Sequence, residues 1–152
     1  DTIAGKPPQV DFDLEKAVQA VCREGIRAGV IRSAHDSAEG GLVVALAECA
    51  IAANQGAAIT LDAAEGSRLD TVLFAEGGAR IIVTVAADQA TAWEATLTDK
   101  LPNRWQLLGT VSEDDDFTVA IAGETVIQTT VGTMAEGWNE AIAQKVAGDV
   151  AL

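Results

Sequence analysis

Hydrophobic residues recur at helical spacing in four stretches of the chain. In the first stretch Leu14, Val18, Val21 and Ile26 fall on one face of a helix. Glycine, asparagine and capping aspartates mark where such stretches begin and end. The predicted helices open after Asp11 or Asp13 and end at Gly29, run from Leu42 to a stop at Asn54-Gln55-Gly56, and cover residues 88–100 and 131–146, with a helical turn or two at residues 67–74.

Short apolar or alternating runs lie between these helices and predict strands. Residues 81–85 are continuously apolar apart from one threonine, as in a buried strand, and residues 117–121 alternate cleanly. Gly109 lies inside the predicted strand 105–111, which indicates a neighbour too close for a side chain. The remaining strands are predicted at 57–61 and 125–129, with an acidic turn at 112–116 and a hairpin turn at Gly123-Glu124.

This order of elements predicts an α+β fold, with a mixed or antiparallel sheet and helices packed on its faces. Residues 81–121 run strand, helix, strand, strand, which makes the fold partly ferredoxin-like. The 152 residues are enough for one domain with a real core. Residues 1–9 contain Gly5 and Pro7-Pro8 and predict a linker, so the single domain is assigned to residues 10–152. Because Asp1 is not an initiator methionine, we interpret the sequence as a piece of a longer protein.

The charge of the chain narrows the range of partners. Its formal net charge is −13, so its surface repels nucleic acid and anionic lipid, and neither is expected as a partner. No apolar run approaches the ~18 residues of a membrane span. A phosphorylated ligand would need backbone amides, a metal or the lysines of another domain to overcome this field.

The two cysteines, Cys22 and Cys49, lie on apolar helical positions and outside any CxxC pair. The chain has one histidine, so we do not predict a structural zinc site. We interpret both cysteines as reduced core thiols, which predicts a cytoplasmic protein.

The most distinctive stretch is Ser33-Ala34-His35-Asp36-Ser37-Ala38-Glu39-Gly40-Gly41-Leu42, directly before the second helix. Paired glycines let the backbone approach a ligand closely, and the free amides at the start of a helix attract anions. The stretch could therefore hold a phosphate or a carboxylate. Alternatively the glycines allow only a tight start and close packing, with Asp36, Ser37 or Glu39 as the cap. The residues alone favour this second interpretation.

This stretch resembles the signature that opens the C-terminal domain of the aminoimidazole ribonucleotide synthetase superfamily. It is most similar to the second such domain in the synthetase subunit of the phosphoribosylformylglycinamidine synthase (formylglycinamide ribonucleotide amidotransferase) family. That family typically has Val or Cys where Ser37 stands and Ser where Ala38 stands. Two later stretches also fit in order: Leu73-Phe74-Ala75-Glu76-Gly77-Gly78-Ala79-Arg80, which keeps the family's Glu and Arg, and Leu108-Gly109-Thr110-Val111.

The resemblance implies a domain of an ATP-dependent ligase of de novo purine biosynthesis. That enzyme converts formylglycinamide ribonucleotide and ammonia, from glutamine, into formylglycinamidine ribonucleotide. It implies ATP or ADP and magnesium as cofactors of the whole enzyme, with an upstream nucleotide-binding domain and a glutaminase subunit or domain as partners. The catalytic histidine and the metal ligands lie upstream, so no catalytic or metal-binding residue is expected here. The candidates for binding a ligand or lining the cleft are His35, Asp36, Ser37, Gly40, Gly41, Glu76 and Arg80.

The residues themselves do not predict a complete active site. His35 and Asp36 are adjacent in an extended segment and point to opposite sides, so they do not readily form a catalytic dyad. No nucleophile elbow and no phosphate-binding loop with lysine is present. Glu76 and Arg80 could simply pair with each other or with a neighbour. Two alternatives remain: another superfamily member, such as a small-molecule kinase or a maturation factor, and a noncatalytic interaction module. In each case the isolated domain is expected to be inactive.

Overall fold

The structure is a computed structural model that describes residues 9–64 and 66–147, without the side chains of Gln144 and Ala147. Most of the predicted linker, residues 1–8, lies outside the described residues. In chain order the elements are α1 (Phe12–Arg27), β1 (Ile31–Asp36), α2 (Gly41–Ala53), β2 (Gly56–Leu61), α3 (Leu69–Phe74), β3 (Ile81–Val85), α4 (Ala87–Lys100), β4 (Gly109–Ser112), β5 (Asp116–Ile121), β6 (Glu124–Thr130) and α5 (Val131–Ala147).

Helix α1 begins where its sequence predicts. The carboxylate of Asp11 accepts hydrogen bonds from the amides of Asp13 and Leu14, which confirms Asp11 as the cap. The apolar face buries Val18 and Val21. Acidic residues in the first turn and a basic residue in the last turn complement the helix dipole.

The chain divides into two compact units, of which the first comprises Asp1–Ala45 and Leu69–Gln106. Its described part contains a two-stranded antiparallel sheet of β1 and β3, and α1 and α4 pack beside these strands. A buried cluster lies in the described part of this unit, with the partly buried side chains of β3 packed against it. The members of the cluster are Val18, Val21, Ile31, Trp93 and Leu101.

Strand β1 is an element that the sequence analysis did not predict. Of its six residues only Ile31 is buried, so it lacks the alternation that marks a half-buried strand. Its extended state comes from pairing with β3, where His35 lies opposite Ile82 and Asp36 lies opposite Ile81. The pairing is long-range and leaves no trace in the local pattern.

The second unit comprises Leu46–Arg68 and Leu107–Leu152. Its four-stranded sheet has the order β4-β2-β5-β6, with β2 parallel to β5 and the other pairs antiparallel. Phe117, Val119 and Val131 are its most deeply buried large side chains. The α+β class with a mixed sheet is confirmed. The strands of residues 81–121 fall in two different sheets, so they do not form one continuous ferredoxin-like half.

The predicted strand 105–111 is shorter than expected, because β4 covers only Gly109–Ser112. Leu107 is exposed, and the register with β2 starts at Gly109, opposite Ile59, next to a hydrogen bond from the Thr60 amide to the Leu108 carbonyl. Gly109 has a φ of +153°, and a Cβ there would overlap the carbonyl oxygen of Ala58. The close approach predicted for this glycine is therefore confirmed.

Acidic residues in the turn between β4 and β5 accept hydrogen bonds from nearby groups of the same unit. The carboxylate of Asp114 accepts hydrogen bonds from the Ser112 hydroxyl at 2.6 Å and from the amide of Asp116 at 3.3 Å. Asp115 accepts from the amide of Val131 through its carbonyl and from the amide of Gly132 through its carboxylate. Asp115 thereby satisfies two of the free amides at the start of α5.

In the part of the chain that the structure describes, no helix is both long enough and apolar enough to span a membrane.

Candidate functional site

The seven candidate residues lie on two segments that the fold of the first unit brings together. One segment is the end of β1 with the turn that leads into α2, and it carries His35, Asp36, Ser37, Gly40 and Gly41. The other is the loop between α3 and β3, which carries Glu76 and Arg80. Pairing of β1 with β3 places the two segments side by side.

The side chain of Glu76 binds the start of α2. Its carboxylate accepts a hydrogen bond from the amide of Gly40 at 3.0 Å, across 36 residues of sequence. A carboxylate at a helix N-terminus also interacts favourably with the helix dipole. Glu76 thus pairs with a neighbour and not with Arg80, which settles one of the alternatives left open by the sequence.

Arg80 holds its own loop together. Its guanidinium donates a hydrogen bond to the carbonyl of Ala75, and its carbonyl accepts one from the amide of Ser37 at 2.9 Å. The side chain thereby folds the loop 75–80 back on itself, and the main chain fixes that loop to the end of β1. Together with the Gly40–Glu76 contact, this bond joins the two segments at two points.

The two glycines are needed for packing. Gly40 and Gly41 have φ values of +76° and +74°, a region that residues with a Cβ rarely adopt. A Cβ on Gly41 would lie 2.5 Å from the carbonyl carbon of Phe74, and a Cβ on Gly40 would lie 2.7 Å from Val44. The structure therefore supports the interpretation that the glycines permit a tight start and close packing.

The start of α2 is bound by a side chain outside the three predicted caps. Among the described residues, the side chain that binds the amide of Gly40 is Glu76, and not Asp36, Ser37 or Glu39. Ser37 is buried instead, with 4% of its surface exposed, and its hydroxyl has no hydrogen-bond partner among the described residues. No local sequence signal could have identified Glu76, because the contact depends on the pairing of distant strands.

The imidazole of His35 contacts the main chain. Its Nδ1 lies 2.7 Å from the carbonyl oxygen of Asp36. A carbonyl oxygen only accepts hydrogen bonds, so Nδ1 must carry a proton in this contact. This contact engages Nδ1 with the carbonyl of Asp36.

The residues of this site do not fit a nucleotide or a magnesium ion. The amide of Gly40 is bound to Glu76, the amide of Gly41 faces the carbonyl of Ala38 at 3.4 Å, and the Arg80 guanidinium is bound to Ala75. Within residues 9–64 and 66–147, no three His, Cys, Asp or Glu side chains are grouped so that they could hold a metal ion. In this arrangement these three polar groups are engaged within the domain.

Fold and site together define an α+β domain in which hydrogen bonds join two motif segments. The sequence matches the family described as AIR synthase related protein, C-terminal domain, over residues 1–122. The chain therefore belongs to this family.

Curated relatives narrow the similarity further. The chain is 50% identical over 157 aligned positions to phosphoribosylformylglycinamidine synthase subunit PurL of Nostoc punctiforme, covering 100% of this chain and 20% of that protein. It is 52% identical to the same subunit of a Cyanothece species, covering 95% of this chain and 19% of that protein. The chain thus spans about a fifth of the length of the curated relatives it matches.

Solved structures show the same fold. Phosphoribosylformylglycinamidine synthase II from Thermotoga maritima superposes with a TM-score of 0.72 at 21% identity, over 84% of this chain and 22% of that one. Thermotoga maritima PurL complexed with FGAR superposes with a TM-score of 0.68, also at 21% identity, over 80% of this chain and 21% of that one. At this level of identity the likeness establishes the fold alone.

Proposed function

We propose that this chain is the C-terminal domain of an ATP-dependent ligase that makes formylglycinamidine ribonucleotide in purine biosynthesis. The observation that carries the proposal is the 50% identity, over the whole chain, to a curated phosphoribosylformylglycinamidine synthase subunit. In the proposed reaction the amide oxygen of formylglycinamide ribonucleotide takes a phosphoryl group from ATP. Ammonia then attacks the activated carbon, and phosphate leaves.

This chain contributes one wall of a cleft to the longer polypeptide. The seven candidates His35, Asp36, Ser37, Gly40, Gly41, Glu76 and Arg80 are the residues that line or shape it. The Gly40–Glu76 and Ser37–Arg80 hydrogen bonds support this role, because they hold the two motif segments in one fixed arrangement. In this proposal the catalytic groups belong to the rest of the enzyme, and the isolated domain is inactive.

Nucleotide, magnesium and partner proteins belong to the whole enzyme in this proposal. Solved relatives are described as Thermotoga maritima PurL complexed with ATP and with ADP, and as PurLQS from the same organism. The charge of −13 on this chain supports placing the phosphate-binding lysines in another domain, and we place the metal beside them. We place the glutaminase in a partner subunit or domain, and the assembly in the cytoplasm.

The test is an assay of the purified longer polypeptide with formylglycinamide ribonucleotide, ATP, magnesium and ammonium chloride. We expect formylglycinamidine ribonucleotide and ADP in equal amounts. Arg80→Ala should lower kcat/KM at least about tenfold, because a loop held by that side chain would lose its geometry. Arg104→Ala, which removes the same charge from the same unit, should leave the rate close to that of the wild type.

Two outcomes would contradict the proposal. Turnover of thiamine phosphate, with none of formylglycinamide ribonucleotide, would instead indicate a kinase of the same superfamily. A native polypeptide of only 152 residues that binds no nucleotide would indicate an interaction module.

A separate variant tests the start of α2. A Gly41→Asp enzyme that folds and turns over at the wild-type rate would show that the start of α2 has no importance for the cleft.

A further inference from the structure

Helix α5 packs on its own unit only through its first turn. Val131 is 1% exposed, and Met134 and Ala135 are half-buried. From Glu136 to Val146 every side chain that the structure describes is exposed. Nothing lies within 4 Å of the position that a Cβ on Gly137 would occupy. From Glu136 onward the helix therefore has no buried side chain among those that the structure describes.

The exposed part carries an apolar stripe. Trp138, Ile142 and Val146 are 60%, 80% and 81% exposed. Their spacing of four residues places them on one face of the helix, in line with the buried face of the first turn. This stripe, Trp138, Ile142 and Val146, is called the α5 stripe below.

A helical extension that buries nothing is only marginally stable in water. Short helices need tertiary packing of an apolar face, because propensity alone rarely offsets the entropy of ordering the chain. Gly137 weakens this segment further, since glycine is a poor helix former. Three large apolar side chains that stay largely in water contribute little burial energy to offset that entropy. The α5 stripe therefore has the composition of a docking surface.

Charge and length decide between the possible occupants. A second copy of this chain would also carry a net charge of −13, so self-association through the α5 stripe would bring two strongly acidic surfaces together. The curated relatives are about five times longer than the aligned region, which leaves four fifths of such a polypeptide to provide an apolar partner. The α5 stripe continues the face that the first turn of the same helix buries, as expected for a contact within one polypeptide.

We propose that the α5 stripe docks this domain onto the rest of the longer polypeptide, in an apolar groove of another domain. The inference rests on the proposed function only in so far as a longer polypeptide exists. It assigns Trp138, Ile142 and Val146 a role in assembling the enzyme, separate from the cleft residues on the first unit.

Hydrogen–deuterium exchange of the longer polypeptide tests the docking surface. Amides of residues 136–146 should exchange at least about tenfold more slowly than in an unstructured peptide of the same sequence. In the longer polypeptide Ile142→Glu should return this segment to fast exchange and lower the midpoint of thermal unfolding. Ala143→Glu adds the same charge about 100° further round the helix, at the edge of the α5 stripe, and should have a clearly smaller effect on both.

Unprotected amides at residues 136–146 of the longer polypeptide would overturn the inference, and so would equal effects of the two glutamate variants. Protection in the 152-residue chain alone that rises with its concentration would assign the α5 stripe to a second copy. Product formation is measured separately. A polypeptide that protects α5 but makes no formylglycinamidine ribonucleotide refutes the proposed function and leaves the docking surface standing.

Discussion

The amide of Gly40 and the carboxylate of Glu76 form a hydrogen bond of 3.0 Å between residues 36 positions apart. The bond places a negative charge at the N-terminus of α2, where the helix dipole favours it. It also joins the two motif segments of the candidate site. The start of α2 resembles an anion site in sequence, and in the structure its anion is a side chain of the same domain.

Removing the charge of Glu76 should destabilise the first unit. In Glu76→Gln the side chain can still accept a hydrogen bond, but the charge-assisted bond and the dipole interaction are lost. We expect the free energy of unfolding to fall by about 1 kcal/mol. Urea denaturation measures it. Glu113→Gln removes the same charge from the acidic turn and should have little effect, and equal losses in the two variants would argue that Glu76 acts only through net charge.

Adding a methyl group at Gly41 should lower the free energy of unfolding by more than backbone strain alone accounts for. Gly41 and Gly29 have nearly equal φ values, +74° and +70°, but a Cβ meets the carbonyl of Phe74 at Gly41 and open space at Gly29. Gly29→Ala should cost about 1 kcal/mol from backbone strain alone. Gly41→Ala should cost at least about 2 kcal/mol more, because Phe74 presents rigid backbone. Equal losses of unfolding free energy in the two variants, measured by urea denaturation, would mean that the backbone at Phe74 moves away freely.

Local chemistry explains which elements could be predicted. Helix α1 could be, because its apolar spacing and its Asp11 cap lie within one short segment. Strand β1 could not, because its extended state depends on partners such as Thr84, whose hydroxyl meets that of Ser33 across 51 residues of sequence. The strand at 105–111 was predicted too long, since only contact with β2 decides where pairing begins.

The candidate site, like the fold, could be predicted from the sequence only in part. The sequence identified both motif segments by their resemblance to a family, and the fold of the first unit brings these segments together. It could not show that Glu76 binds Gly40 or that Arg80 binds its own loop, because both contacts require the folded loop 75–80. It also could not show that the Ser37 hydroxyl is buried without a partner.

Both cysteines should react slowly with alkylating reagents. Burial raises the pKa of the Cys22 thiol, and the charge of Arg23 partly offsets this effect. Burial also raises the pKa of the Cys49 thiol, and Glu48 raises it further. Less thiolate is therefore present at pH 8 than in an exposed cysteine.

Alkylation by iodoacetamide, followed by mass spectrometry across a pH series, measures this effect. Cys49 should react more slowly than Cys22, and both more slowly than in the urea-unfolded chain. The folded state holds these protons more tightly than the unfolded state. The resulting stabilisation is complete below the pKa of the unfolded thiols and is lost as the pH rises through the folded values. A Cys49 thiol that reacts at the unfolded rate at pH 8 would contradict the prediction.

Ser37 offers a substitution that should stabilise the protein. Its hydroxyl is buried and lacks a hydrogen-bond partner among the described residues, whereas its amide is bound to the carbonyl of Arg80. A buried hydroxyl without a partner costs about 1–3 kcal/mol, and Ser37→Ala removes the hydroxyl while keeping the amide. We expect the free energy of unfolding in urea to rise by about 1 kcal/mol, after allowance for the small space left behind.

Ser33→Ala is the control on β1, the strand that directly precedes Ser37, because the Ser33 hydroxyl lies 2.6 Å from that of Thr84. Its loss should lower the free energy of unfolding by about 0.5–1 kcal/mol, so the two identical changes should have opposite signs. If Ser37→Ala destabilises as much as Ser33→Ala, the Ser37 hydroxyl has a partner in solution, such as a buried water molecule. Opposite signs would instead fit the Val or Cys that the related family carries at this position, since neither side chain brings a hydroxyl into the interior.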